Sequence, residues 1–418
     1  MRKHWIDNLR WVTVLLVLFY HVVYFYNNKG VFGGIGGFGE YPEYPQYQDV
    51  VMYILYPFFM PLLFILAGIG SRYALEKQSA KEWFKARTRK LLVPGTIGLF
   101  VFHWMVGYFN TVVASRQGVF DGVPAIVKYF IMAVSGTGPL WFIQVLWLLC
   151  LVLLLVRAID RKDKFYNLCG KANYVVIILL GVLFWAGEQT LIKNPRPESL
   201  DGLLNLYKPF FYLVPFLLGY FVFAHDEVQE KLEKAWIPLI VSAVVAGTVL
   251  IVTTFGQDNT SPQYLGSPLN CLYGWLMCLA MIGWFKARFD RTGAFSSYMT
   301  RSSYGIYIVH YLVIASLGYM MKVYTSLSPW MMYVILFVAV MTISPLLYEI
   351  IRRIPFVRWC VLGIKKKKSG TANFTMKSYL GKTPSRPSIC RGFSRQAKAN
   401  TERATSSLVS RCPSLAKW

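Results

Sequence analysis

The sequence predicts an all-α polytopic membrane protein with about ten transmembrane helices and cytoplasmic N and C termini, and three observations carry that prediction. The chain is too apolar for an ordinary soluble protein: 55% of its residues are hydrophobic, 15% are charged and its mean hydropathy is +0.42. Apolar stretches near the roughly 20 residues that a helix needs to cross a bilayer recur along the chain as far as Ile351. The loops between them alternate in charge: about twenty Lys or Arg fall in one set and about half a dozen in the other, the asymmetry that marks a cytoplasmic side. The formal charge of +24 therefore resides in loops and tail and implies a lipid bilayer, with no nucleic-acid partner.

The first span is expected at 9–26. It has a short basic start, Arg2 and Lys3, but no small-residue cleavage site, so it reads as a retained helix and not a signal peptide. Segment 27–49 sets Glu40, Glu43 and Asp49 against Lys29 and belongs outside. The second span, 50–71, contains Pro57, Pro61 and Gly68, which predicts a kinked or broken helix of the kind that lines cavities. Arg72, Lys77, Lys81, Lys85, Arg87, Arg89 and Lys90 form the densest basic loop before the tail, which places it inside. A third span, 91–109, opens with Pro94, and the apolar piece 123–134 is too short to cross, so it reads as re-entrant or interfacial. The fourth to tenth spans are expected at 138–156, 174–192, 207–224, 236–255, 267–285, 303–320 and 330–351. Residues 1–364 thus make one membrane domain. After Ile364 the composition turns abruptly polar and basic, and 365–418 reads as a disordered tail, either touching anionic lipid or foreign to the fold. The seven cysteines form no CxxC pair, and no metal site is indicated.

The first span also carries titratable groups. Arg10 and His21 are eleven residues apart, about three turns, so they share one helical face roughly 16 Å apart along the axis. A cation near the membrane surface and an imidazole near mid-depth on one stripe are costly in lipid and point to a bundle interior or wet cavity. The bland alternative is a buried His bonded to a neighbouring helix, which position alone leaves open.

Together with later blocks, this stripe resembles acyltransferase family 3, integral-membrane enzymes that move acyl groups from coenzyme A to carbohydrate hydroxyls. The blocks are IDNLRWVTVLLVLFYH, FFMPLLFILAG followed by FKARTRKLLVP, GPLWFIQVLW, RSSYGIYIVH and YEIIRRIPFVRWCVLG. They are similar to the family's motifs in order and spacing from Asp7 to Gly363, and the last is nearest the branch of glucan succinyltransferases. The resemblance implies that His21 is the catalytic histidine with Arg10 its signature partner, and that Asp7 heads the same motif. It also implies a donor-binding role for Arg87 and a second cation three residues on. Here that position is Lys90, with Arg89 beside it, a departure that leaves both open because a point charge does not replace a planar fork. Tyr304, His310 and Glu349 match further family positions, and Trp141, within the GPLWFIQVLW block, is another candidate.

An acyl-CoA co-substrate carries phosphates at one end and a thioester at the other, which calls for cations at the cytoplasmic surface and a base deeper in. Arg10, Arg87, Arg89 and Lys90 supply the first. His21 supplies the second, either deprotonating the acceptor hydroxyl or first taking the acyl group, with Glu349 the candidate to orient it. The expected protein is a multi-pass acyltransferase of the plasma (inner) membrane with acyl-CoA and a carbohydrate acceptor as partners and no bound cofactor. A transporter or flippase without covalent chemistry is the competing reading, since broken helices and a mid-membrane histidine would serve it too.

Overall fold

Every regular element in the computed structural model is helical among the described residues, which are 3–27, 34–38, 46–115, 122–194, 196 and 199–365. Lys29, Glu40, Glu43 and the tail beyond Lys365 lie outside them. Eight helical stretches are long and apolar enough to cross a membrane: His4–Phe25, Tyr47–Leu75, Ala80–Val112, Gly138–Ile159, Trp236–Thr254, Pro268–Arg288, Ala294–Tyr324 and Pro329–Ile351. They coincide with the first four and last four expected spans. The other two differ from expectation. The fifth is a helix of only 15 residues, Tyr174–Glu188. The sixth reaches the length and composition of a span only as a pair, Leu200–Phe221 with Asp226–Lys234, which is bent by 102°. Hydropathy registered their composition but not where their helices stop.

The main helices are labelled α1 (His4–Phe25), α2 (Val50–Leu75), α3 (Ala80–Arg87), α4 (Trp104–Ser115), α5 (Trp141–Ile159), α6 (Tyr174–Glu188), α7 (Pro209–Phe221), α8 (Trp236–Thr254), α9 (Pro268–Arg288), α10 (Ala294–Tyr324) and α11 (Pro329–Ile351). Their starts follow local chemistry. Ser267 and Ser328 cap α9 and α11 through their hydroxyls, each followed by a proline whose missing N–H would be unbonded there anyway. Ser79 and Glu82 form a reciprocal capping box at α3.

Apolar attraction between helices is weak in lipid, so close backbone approach and buried hydrogen bonds hold the bundle. At the α2–α7 contact a Cβ on Gly68 would stand 2.1 Å from the Phe216 carbonyl oxygen, and one on Gly219 would stand 2.2 Å from that of Ile65. No side chain fits at either glycine. Pro57 and Pro61 lie inside an unbroken α2, and α9 supports this stretch: Tyr273 donates to the Ile54 carbonyl at 2.8 Å. The start of α1 is tied down by Asn8, whose amide donates to the Phe289 and Arg291 carbonyls at 2.6 and 2.7 Å.

Two π-helical turns, Thr88–Leu92 and Leu99–His103, interrupt the third span. Such turns insert a residue and re-aim side chains, frequently at functional sites. The first of them carries Arg89 and Lys90.

Candidate active site

The bundle has a basic end. There Asp7 accepts from Arg10 at 3.1 Å, one helical turn apart on α1. The Arg10 guanidinium also lies against α2, 3.6 Å from where a Cβ on Gly70 would stand. Arg87, at the end of α3, reaches the next residue of α2, donating to the Ser71 hydroxyl at 3.5 Å, with its guanidinium 5.6 Å from the Trp83 ring. Arg89 donates through Nε to the Gly363 carbonyl at 3.2 Å. The Lys90 ammonium lies within electrostatic reach of Arg10, Arg87 and Arg89, and its carbonyl accepts from the Tyr304 hydroxyl. Two separate stretches, α1 and the continuous segment 87–90, thus converge four cations, and among the described residues no carboxylate forms an ion pair with Arg87, Arg89 or Lys90. Such a cluster is incomplete without an anion.

Further along α1, Val14 and Val17 on the Arg10 stripe are buried against the bundle, and His21 follows on the same stripe, part-exposed. Its ring is held from several sides. Tyr20, Tyr311 and Tyr24 stand with their ring centroids 5.4, 5.3 and 6.1 Å away, all edge-on. His310, fully buried on α10, brings its Nε2 to 3.3 Å from His21 Nδ1.

The carbonyls around the pair fix the tautomers, because a carbonyl oxygen can only accept. His21 Nδ1 faces the Val17 oxygen at 2.8 Å and therefore carries a proton. His310 Nδ1 faces the Tyr307 oxygen at 2.5 Å and does likewise. In the neutral pair His310 Nε2 is then bare and accepts from His21 Nδ1, while the lone pair of His21 lies on Nε2, which has no hydrogen-bond partner among the described residues. This is the arrangement of a general base whose far nitrogen is held by an acceptor.

The other expected residues fall as follows. Glu349 pairs with Arg352 at 2.7 Å near the end of α11, and the structure brings His310 to His21. Tyr304 lies six residues before His310 on α10, roughly 9 Å along the axis, and ties that helix to the Lys90 turn. Trp141 opens α5 and packs on Tyr212 of α7, centroids 5.2 Å apart. Beside them the structure places residues that sequence reasoning did not single out: Tyr56 on α2, Glu188 at the end of α6 and Lys208 before α7, the last two both buried. In the sequence Glu188 and Lys208 look like ordinary loop-edge charges.

Comparison with known proteins identifies the family. The family model described as an acyltransferase domain, of acyltransferase family 3, matches residues 3–349. Glucans biosynthesis protein C of Escherichia coli O139:H28 (strain E24377A / ETEC) is 20% identical over 374 residues, 87% of this chain and 94% of that protein. Its namesake in Escherichia coli (strain K12 / DH10B) is 19% identical over 373 residues with the same coverage. No solved structure gives a significant match. The chain is a membrane-spanning protein of acyltransferase family 3, and an acyltransferase.

Proposed function

We propose that this acyltransferase moves an acetyl or succinyl group from acyl-CoA to a hydroxyl of a carbohydrate, with His21 as general base, in the plasma (inner) membrane. In this reading the basic end and both termini face the cytoplasm, which the excess of Lys and Arg in alternate loops supports. The observation that carries the proposal is the 3.3 Å contact between His21 and His310, which leaves the His21 lone pair on Nε2, further along α1 than a cluster of four cations.

In this reading Arg10, Arg87, Lys90 and the side of Arg89 not used by Gly363 hold the donor's phosphates, with Asp7 aligning Arg10. The pantetheine arm carries the thioester inward toward His21. The acceptor hydroxyl gives its proton to His21 Nε2 as its oxygen attacks the thioester carbonyl. The resulting imidazolium keeps its Nδ1–H on the Val17 carbonyl and on His310 Nε2, which disperses the new charge. When the carbon–sulfur bond breaks, the same proton passes to the departing thiolate, so ester and free thiol form and His21 is restored. Reaction within a walled site keeps water from competing for the thioester. A carbohydrate acceptor agrees with the glucan-related name of the relatives and with the aromatic wall around His21.

The test uses purified full-length protein in detergent, radiolabelled acetyl-CoA or succinyl-CoA, and a gluco-oligosaccharide acceptor. Label should move to the sugar with the wild type and not with His21→Ala at equal folded amount. Near-normal turnover by His21→Ala would remove His21 from the chemistry.

A further inference from the structure

We propose that Glu188, Lys208 and Tyr56 form a polar subsite that holds neighbouring hydroxyls of a neutral sugar next to the His21 chamber. The inference rests on the acyl-transfer reading above and names where the acceptor docks.

Helices α2 and α7 run side by side in the same direction. Gly68 packs on Phe216 and Tyr220 toward the basic end, and Lys208 meets Tyr56 toward the other. The end of α6 joins them there: a Cβ on Gly187 would stand 3.2 Å from a Val214 methyl and 3.3 Å from the Phe211 ring, and Phe184 packs on Phe211 at 5.0 Å. This places Glu188 and Lys208 in one buried neighbourhood, 5% and 7% exposed. The Lys208 ammonium donates to the Tyr56 hydroxyl at 2.9 Å, and Tyr56 stacks on Tyr20, the residue before His21, at 5.8 Å. The polar cluster is therefore one aromatic ring removed from the base. Tyr212 and Trp141 continue the wall.

Two features mark the cluster as a site and not as structural support. Glu188 and Lys208 sense each other's charge yet do not close an ion pair, and Glu188 Oε2 is buried without a hydrogen-bond partner among the described residues. A buried carboxylate left open beside an equally buried ammonium costs stability that a direct pair would have recovered. Lys208 also sits in left-handed backbone, φ 46°, unusual for a side chain of its kind.

The signs of the charges decide what fits. An anionic ligand would be repelled by Glu188 and a cationic one by Lys208. A hydroxyl group does both jobs, donating to Oε2 and accepting from Nζ, and a sugar supplies several at fixed spacing along with apolar ring faces for Tyr56 and Trp141, the part-exposed aromatics of this wall. Few precisely placed polar groups in an aromatic pocket are what such a ligand requires.

The test is calorimetric titration of the purified full-length protein in detergent with a neutral gluco-oligosaccharide, and separately with coenzyme A. Wild type should bind both. Glu188→Gln, Lys208→Gln and Tyr56→Phe should each weaken oligosaccharide binding tenfold or more and leave coenzyme A binding within twofold. Tyr56→Phe removes one hydroxyl without touching either charge, so it keeps the test open if a charge variant fails to fold. Oligosaccharide affinity unchanged in folded variants, or no oligosaccharide binding by the wild type, would overturn the proposal. The outcomes separate this inference from the chemistry. Weakened sugar binding in a protein that transfers no acyl group would leave the subsite standing and remove the reaction. Transfer that depends on His21 but is indifferent to these three residues would do the reverse.

Discussion

Arg72 and Arg87 both belong to the densest basic stretch of the sequence, and α2 receives them on consecutive residues, Arg72 being its own and Arg87 reaching Ser71. Their surroundings are opposite. Arg72 donates to Glu76 at 2.8 Å and to both oxygens of Asp163 at 2.7 and 3.3 Å, and it lies 3.5 Å over the Tyr166 ring. It is neutralised on every side and joins the end of α2 to the loop after α5. Arg87 has one long bond to a hydroxyl, a tryptophan at its flank and three further cations nearby. Positive charge at this end of a membrane protein is expected for topology alone; what separates a structural arginine from a ligand-binding one is whether the fold supplies the counter-charge.

After the loss of His21 itself, the largest effect expected is from the residue that would orient it. His310→Leu should lower kcat by roughly 10- to 100-fold with donor KM nearly constant, and His310→Gln, which can still accept from His21 Nδ1, should recover part of the loss. Equal activity of the Leu and Gln variants would mean that His310 only fills space. Next in size is the contrast between the two arginines. Arg87→Ala should raise donor KM about tenfold through loss of a charge-assisted bond, with little change in melting temperature. Arg72→Ala should do the opposite, lowering the melting temperature and leaving donor KM near wild type. Matching effects of both variants on donor KM would erase the distinction drawn here. A smaller effect follows from ionic strength: donor KM should rise with salt in the wild type and less so in Arg87→Ala, as steady-state kinetics at two salt concentrations would reveal.

The smallest effect is on pH dependence. Hydrogen bonding from Arg72 holds the Asp163 carboxyl below its ordinary range. A carboxylate whose pKa is lower in the folded state stabilises the protein above its unfolded value, about 3.9, and loses that contribution as pH falls through the folded value. Asp163→Asn should therefore melt slightly below wild type at neutral pH, and the difference should shrink below about pH 4. Because Asp163 is 43% exposed, solvent screening keeps this effect modest.

Much of the fold was legible because a bilayer imposes length and composition on anything that crosses it. Eight of ten expected spans answer to helices that satisfy both. The short α6 and the bent segment after α7 escaped because hydropathy does not record where backbone hydrogen bonding ends. Within the site, the Arg10–His21 stripe was legible since helical periodicity alone aligns residues eleven apart. The contact between His21 and His310 spans 289 residues, and one sequence contains no sign of it, which is how Glu349 came to be put forward as the orienting group. Glu188 and Lys208 were missed for a related reason. Each stands at the edge of an apolar run, where a charge is ordinary, and only their shared burial sets them apart.

The central claim is that the fold holds His21 as the Nδ1–H tautomer with its lone pair on Nε2. The most direct measurement is the imidazole nitrogen-15 NMR spectrum of histidine-labelled protein near neutral pH, with His21 identified by the signals lost in His21→Ala. The account predicts a protonated Nδ1 and an unprotonated Nε2 for that residue. A spectrum showing the proton on Nε2 would contradict it.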